Sequence, residues 1–156
     1  MAVSVSPRDA SGPCVFCDIV EGRGDPDGAP VDVVAERGHF VALLDRAPLF
    51  WGHTLMVPRA HVPTFDLLPG ELAADWFSFA QELVGAVESA MGAEGSLMIM
   101  NNVISQSVPH AHLHLIPRSR GDGLRFWLGP RHPYESDEHR LAVAASIRER
   151  LAGGAA

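Results

Sequence analysis

The sequence predicts an α+β fold, an antiparallel sheet of about five strands with one long helix and a C-terminal helix. Three observations carry this. Short segments rich in β-branched and apolar residues follow one another between turn residues, as in a meander. A single long amphipathic stretch interrupts them before two more such segments. Neither a Gly-x-Gly-x-x-Gly nor a Walker sequence occurs, so a doubly wound parallel fold lacks its signature.

Residues 1–13, rich in Ser, Pro, Asp and Gly, are expected to be a loose tail, which leaves 14–152 as a single domain. The pair Cys14-Val15-Phe16-Cys17 leads into Asp18-Ile19-Val20, and the Gly- and Asp-rich run 22–28 reads as a loop. Strands are expected at 31–36, 40–44 and 53–58, separated by Arg37-Gly38 and by Arg46-Ala47-Pro48. Leu72, Trp76, Phe79, Leu83 and Val87 recur at steps of three and four between Pro69-Gly70-Glu71 and Gly92. That spacing predicts a helix with one buried stripe and a glycine stop, its aromatic residues serving as core. Residues 97–103 and 111–117 read as two further strands joined by Ile104-Ser105-Gln106-Ser107. A last helix is expected at 136–151, with Asp137 and Glu138 at its positive end and Arg148 and Arg150 at its negative end.

Composition bounds the function. A chain of 156 residues, 47% hydrophobic and 20% charged, can bury a core without staples. No apolar run approaches the roughly 20 residues of a membrane span, and no secretory leader is recognisable, so a cytoplasmic protein is expected. A net charge of −7 argues against wrapping nucleic acid, although a small phosphate ligand needs only local donors.

The run Pro109-His110-Ala111-His112-Leu113-His114-Leu115-Ile116-Pro117 is the most informative. On a strand, its three imidazoles would share one face at a spacing of about 6.5 to 7 Å. A lone core histidine is usually structural, but three in alternation would each need partners for both ring nitrogens, which favours function. Two chemistries fit: a metal held by the imidazoles, or a histidine nucleophile whose neighbours orient it. Both cysteines lie in the one Cys-x-x-Cys, a spacing that favours half of a zinc site over a disulfide.

These residues together resemble the histidine triad (HIT) family, in particular its zinc-containing bacterial branch. The likeness rests on Cys14-x-x-Cys17-Asp18-Ile19-Val20, Phe40-Val41-Ala42-Leu43-Leu44-Asp45 and the run from Gly52 to His61. It continues through Asn101-Asn102, Gln106-Ser107-Val108-Pro109 and His110-x-His112-x-His114. The resemblance implies a HIT-like fold and hydrolysis or nucleotidyl transfer at the α-phosphate of a purine nucleotide derivative, such as a phosphoramidate or a dinucleoside polyphosphate. It implies that His112 is the nucleophile, that the carbonyl of His110 orients it, and that His114 lies near the scissile oxygen. Asp45 would hold the ribose hydroxyls, while Asn102, Gln106 and Ser107 would position phosphate oxygens. A structural zinc would be held by Cys14, Cys17, His61 and His110, with no catalytic metal required, and the protein would be a homodimer. Trp127 could reach a partner's site or cap the core. The segment Asn102-Val103-Ile104-Ser105-Gln106 departs from the family, whose loop before the glutamine is often longer and Gly-rich.

The same residues also fit a metal-dependent hydrolase with His110, His112 and His114 as ligands, more weakly a serine hydrolase on Ser105 or Ser107, and a non-catalytic nucleotide-binding regulatory protein. His53 reads as a hydrogen-bonded structural residue, and His39, His132 and His139 as solvent-facing.

Overall fold

A computed structural model describes residues 12–125 and 132–153; Trp127 and most of the expected tail lie outside them. The chain divides into two compact units, 1–122 and 123–156.

The first unit opens with a short helix α1 (Val15–Val20) and then β1 (Val33–Arg37), β2 (Phe40–Leu44) and β3 (Thr54–Pro58). The long helix α2 (Ala73–Met91) follows, and β4 (Gly95–Ile99) and β5 (Leu113–Arg118) complete one antiparallel sheet in the order β1-β2-β3-β5-β4. The α+β architecture read from sequence is therefore present, with the first three strands as a meander. Gly38, at φ +50, supplies the left-handed residue of the tight turn joining β1 to β2.

Period-two alternation sorts side chains onto two buried faces. Phe40 and Ala42 of β2, Met56 of β3 and Leu113 and Leu115 of β5 pack with Trp76, Phe79, Ala80 and Leu83 of α2. The aromatic residues are thus core, as their helical spacing predicts. Val41 and Leu43 of β2 and Leu55 and Val57 of β3 point the other way, onto Cys14 and Phe16 at the start of α1. Gly92 closes α2 in the left-handed conformation at φ +61, with the Ala93 N–H donating to the Glu88 carbonyl at 2.9 Å.

Three boundaries differ from the sequence reading in ways that shape the site. β3 begins at Thr54 rather than at His53, whose N–H donates to the Phe50 carbonyl and so belongs to the preceding turn. β4 ends at Ile99, paired with His114, rather than at 103, and beyond it Val103 and Ser105 take left-handed backbone at φ +67 and +61, which no strand accommodates. β5 begins only at Leu113. The amide of Ala111 donates to the carbonyl of Val62 at 2.6 Å instead of joining the sheet. Two of the three triad histidines therefore precede the strand, and the expectation of three rings evenly spaced along one strand fails.

In the second unit, α3 (Asp137–Gly153) starts at a Ser136 cap whose Oγ accepts the His139 N–H at 3.1 Å. Among the described residues, no helix is long and apolar enough to cross a membrane.

Candidate active site and metal centre

Register sets the position of the site. Leu55 lies opposite His114 across the β3–β5 pair, so His114 shares the α1 side of the sheet with Leu55 and Val57 rather than the α2 side. Here a cavity of about 400 Å³ opens. Asp45, Ser107, His112 and His114 give it polar groups, and Phe16, Ile19, Leu43 and Val108 give it apolar walls.

The three triad rings have three different partners. His112 is buried, and its Nδ1 lies 2.7 Å from the carbonyl oxygen of His110. A carbonyl only accepts, so the proton of the neutral ring sits on Nδ1 and Nε2 carries the lone pair. For His110 the pattern is reversed. Its Nε2–H donates to the Pro58 carbonyl at 2.8 Å, leaving Nδ1 bare and facing Cys14 Sγ at 3.4 Å and Cys17 Sγ at 3.6 Å. Burial pushes the pKa of His110 down to about 4, with a smaller opposing effect from the Pro58 hydrogen bond. His114 meets His53, with Nδ1 2.9 Å from His53 Nε2. Its pKa is lowered to about 4, first by burial and then by the neighbouring His112 and His53. The rings of His112 and His114 are 4.9 Å apart in an edge-to-face arrangement, closer than a regular strand would hold them.

Asp45 follows the last residue of β2. Its Oδ1 accepts the Ala47 N–H at 2.8 Å, and its Oδ2 is 3.5 Å from His53 Nε2 and 3.9 Å from His114 Nδ1. It is both the turn residue and a wall of the cavity.

Cys14, Cys17, His61 and His110 converge although 96 residues separate the first from the last, and their ligand atoms lie within 4.8 Å of one another. His61 Nδ1 is 3.2 Å from Cys17 Sγ, while its Nε2 is buried without a hydrogen-bond partner, so the ring's only polar contact is on the cysteine side. A tetrahedral ion with bonds of about 2.3 Å to sulfur and about 2.0 Å to nitrogen has S···N edges of about 3.5 Å. The measured distances fit such an ion. Burial raises the Cys17 thiol to about 11, with the adjacent Cys14 adding to the effect. A bound cation would reverse that preference and favour the thiolate. Because the ligand nitrogen of His110 faces these cysteines while His112 and His114 are engaged elsewhere, the three triad rings do not form one metal site.

Asn102 and Gln106 have their assigned hydrogen bonds within the loop scaffold. Asn102 Oδ1 accepts the Phe65 N–H at 3.0 Å. Gln106 Oε1 accepts the Val103 N–H at 2.9 Å, and its Nε2 donates to the Pro63 carbonyl at 2.7 Å. Of the loop residues singled out in the sequence, Ser107 is the one lining the cavity. Sequence reasoning missed His53 as part of the site. It lies 61 positions from His114, and no local pattern announces their contact.

The run His110-x-His112-x-His114 leading into β5 of this antiparallel sheet, with His112 and His114 lining the cavity, is the arrangement of a histidine triad protein. The HIT domain family matches residues 27–121, and the chain belongs to that family. Among its relatives, an adenosine 5'-monophosphoramidase of Schizosaccharomyces pombe is 33% identical over 143 residues, covering 88% of this chain and 98% of the relative. An adenylylsulfatase of Arabidopsis thaliana is 29% identical over 143 residues, covering 88% of this chain and 69% of the relative. The crystal structure of a HIT family member from Bacillus subtilis superposes with a TM-score of 0.77 at 30% identity, covering 89% of this chain and 97% of that one. A zinc-bound histidine triad protein from Mycobacterium smegmatis gives a TM-score of 0.64 at 31% identity, covering 94% and 99%.

Proposed function

We propose that this protein hydrolyses or transfers the nucleotidyl group of a purine nucleotide derivative at its α-phosphate, through a nucleotidyl-His112 intermediate. The observation that carries the reading is the 2.7 Å hydrogen bond from His112 Nδ1–H to the His110 carbonyl. It leaves Nε2 as the nucleophilic nitrogen of a residue that lines the cavity. In the first step the Nε2 lone pair forms the N–P bond as the bond from phosphorus to the leaving group breaks, the leaving group keeping the electron pair of that bond and taking up one proton, and His112 becomes a cationic adduct. Water then attacks the same phosphorus and gives up one proton, the N–P bond breaks with its electron pair returning to Nε2, and the nucleoside monophosphate departs with His112 neutral again. Asp45 accepts hydrogen bonds from the ribose hydroxyls, the apolar walls take the base, and Ser107 meets phosphate oxygens. Asn102 and Gln106 serve by holding the loop that carries Ser107.

The two named relatives support this reading, since phosphoramidate and adenylyl sulfate share an adenylyl group and differ in what leaves it. Zinc is the metal assigned to Cys14, Cys17, His61 and His110, supported by the tetrahedral spacing and the zinc-bound neighbour. Such an ion would brace α1 against the loop before β5. We also propose a homodimer, because β4 is an edge strand of the sheet and pairing would cover it. A monomeric mass by light scattering at micromolar concentration would overturn that part.

The test uses adenosine 5'-phosphoramidate with chelator present. Wild-type protein should release AMP and yield an acid-labile adenylyl adduct mapping to His112, and His112→Ala should lose turnover by orders of magnitude while remaining folded. Near-normal turnover in folded His112→Ala would overturn the covalent mechanism. Binding of AMP without any product would favour the regulatory reading instead.

A further inference from the structure

His53 is 3% exposed and sits in the turn before β3, where its own N–H donates to the Phe50 carbonyl and its carbonyl accepts the Asp45 N–H at 2.9 Å. Its side chain is equally constrained. The backbone N–H of Leu49 points at His53 Nδ1 at 3.2 Å. An amide N–H can only donate, so Nδ1 must accept, and the single proton of the neutral ring is placed on Nε2. That nitrogen is 2.9 Å from His114 Nδ1. Two imidazole nitrogens at this distance share one hydrogen, and here His53 supplies it. His114 Nδ1 is then the acceptor, and its own proton is displaced to Nε2.

We infer that His53, pinned by the Leu49 amide, fixes His114 as the Nε2–H tautomer and so makes it an obligate hydrogen-bond donor, which makes His53 a positioning residue for the reaction. Neighbouring triad rings thereby acquire opposite characters. His112 carries its proton on Nδ1 and offers a lone pair, whereas His114 carries its proton on Nε2 and offers an N–H. One can attack phosphorus while the other donates to a phosphoryl oxygen or to the leaving-group atom, where charge accumulates in the transition state. Asp45 Oδ2, 3.5 Å from His53 Nε2, is the only carboxylate the structure sets against this pair among the described residues. Burial lowers the pKa of both rings, which keeps them neutral and the tautomers defined.

The same geometry argues against reading Asp45, His53 and His114 as a second metal site, although their ligand atoms lie within 4.8 Å of one another. A metal on His53 Nε2 would force the proton onto Nδ1, directly against the Leu49 N–H. The cluster is built for hydrogen bonding.

The role in the reaction rests on the proposed function, but the tautomer does not, and the experiment separates them. Full-length protein with histidine labelled in ¹⁵N is studied in its metal-loaded form by ring ¹⁵N–¹H correlation at neutral pH. His114 should show a protonated Nε2 and an unprotonated Nδ1, and His112 the opposite. In His53→Leu, which removes the donor, His114 should populate both tautomers. Turnover of adenosine 5'-phosphoramidate should then fall roughly tenfold in kcat, with KM changed less than about twofold. His53→Gln, whose amide N–H replaces the imidazole Nε2–H, should restore the single tautomer and most of kcat. A protonated Nδ1 on His114 in the wild-type spectrum overturns the inference whether or not any variant folds. An unchanged kcat in folded His53→Leu, despite mixed tautomers, overturns the positioning role. Absence of an adduct on His112 with the tautomers as stated sinks the proposed reaction and leaves the pinning intact.

Discussion

Gly52→Ala tests how tightly the turn that carries Asp45 and His53 is built. Gly52 has φ +87, and an added Cβ would lie 2.5 Å from Met91 Cγ and 2.8 Å from its Sδ. Two costs follow. Left-handed backbone costs a residue with a Cβ about 1–2 kcal/mol. The contact falls on a flexible side chain that is 46% exposed, so Met91 can rotate aside for about 0.5–1.5 kcal/mol rather than displacing backbone. The expected loss is thus about 1.5–3.5 kcal/mol by urea unfolding at fixed zinc concentration, read from the midpoint with an unchanged m-value. The double variant Gly52→Ala/Met91→Ala, measured against Met91→Ala alone, should retain only the backbone cost, about 1–2 kcal/mol. A loss below about 0.5 kcal/mol for Gly52→Ala would refute the backbone argument. An undiminished loss in the Met91→Ala background would refute the steric one. Since Gly52 adjoins His53, ring ¹⁵N spectra of the same variant should show a disturbed His53–His114 pair.

Burial lowers the folded-state pKa of His53 and His114, the latter from 6.5 to about 4. Below about pH 6.5 the unfolded chain binds protons that the folded chain refuses, so stability is full above that pH and is lost as pH falls towards 4. The slope approaches about 1.4 kcal/mol per pH unit for each such ring, and urea midpoints for His114→Asn should fall less steeply than wild type over this window; parallel curves would count against the assignment. Chelation, and separately Cys14→Ser, should lower the thermal midpoint, and elemental analysis of unchelated protein should find one zinc per chain; a metal-free protein with the same melting temperature would contradict the metal centre. Val103 is 41% exposed at φ +67, so Val103→Gly should relieve strain and raise stability by about 1 kcal/mol, and a lowered urea midpoint would show that the loop does not store it.

An apolar and β-branched run between Arg37-Gly38 and Arg46-Ala47-Pro48 located β2, three- and four-residue steps located the buried stripe of α2, and Gly92 marked its end. The triad and the Cys-x-x-Cys were legible because metal and imidazole chemistry restrict residue type as well as spacing, whereas His61 was picked out only by the family resemblance. Alternation alone, however, says which face a side chain takes if the segment is a strand; it cannot say where the strand starts. Only the tertiary structure decided that His110 and His112 precede β5, because the amide of Ala111 finds its acceptor in Val62. It also decided the hydrogen-bonding of Asn102 and Gln106, whose partners lie in the segment before α2 or within the loop itself. Above all it decided the protons. His110, His112 and His114 are identical residues in one repeating pattern, yet Pro58, the His110 carbonyl and His53 assign them opposite tautomers in alternation. A histidine's chemistry depends on which nitrogen is bare, and that is set by a donor or acceptor brought near by folding, from as few as two positions away or as many as 61.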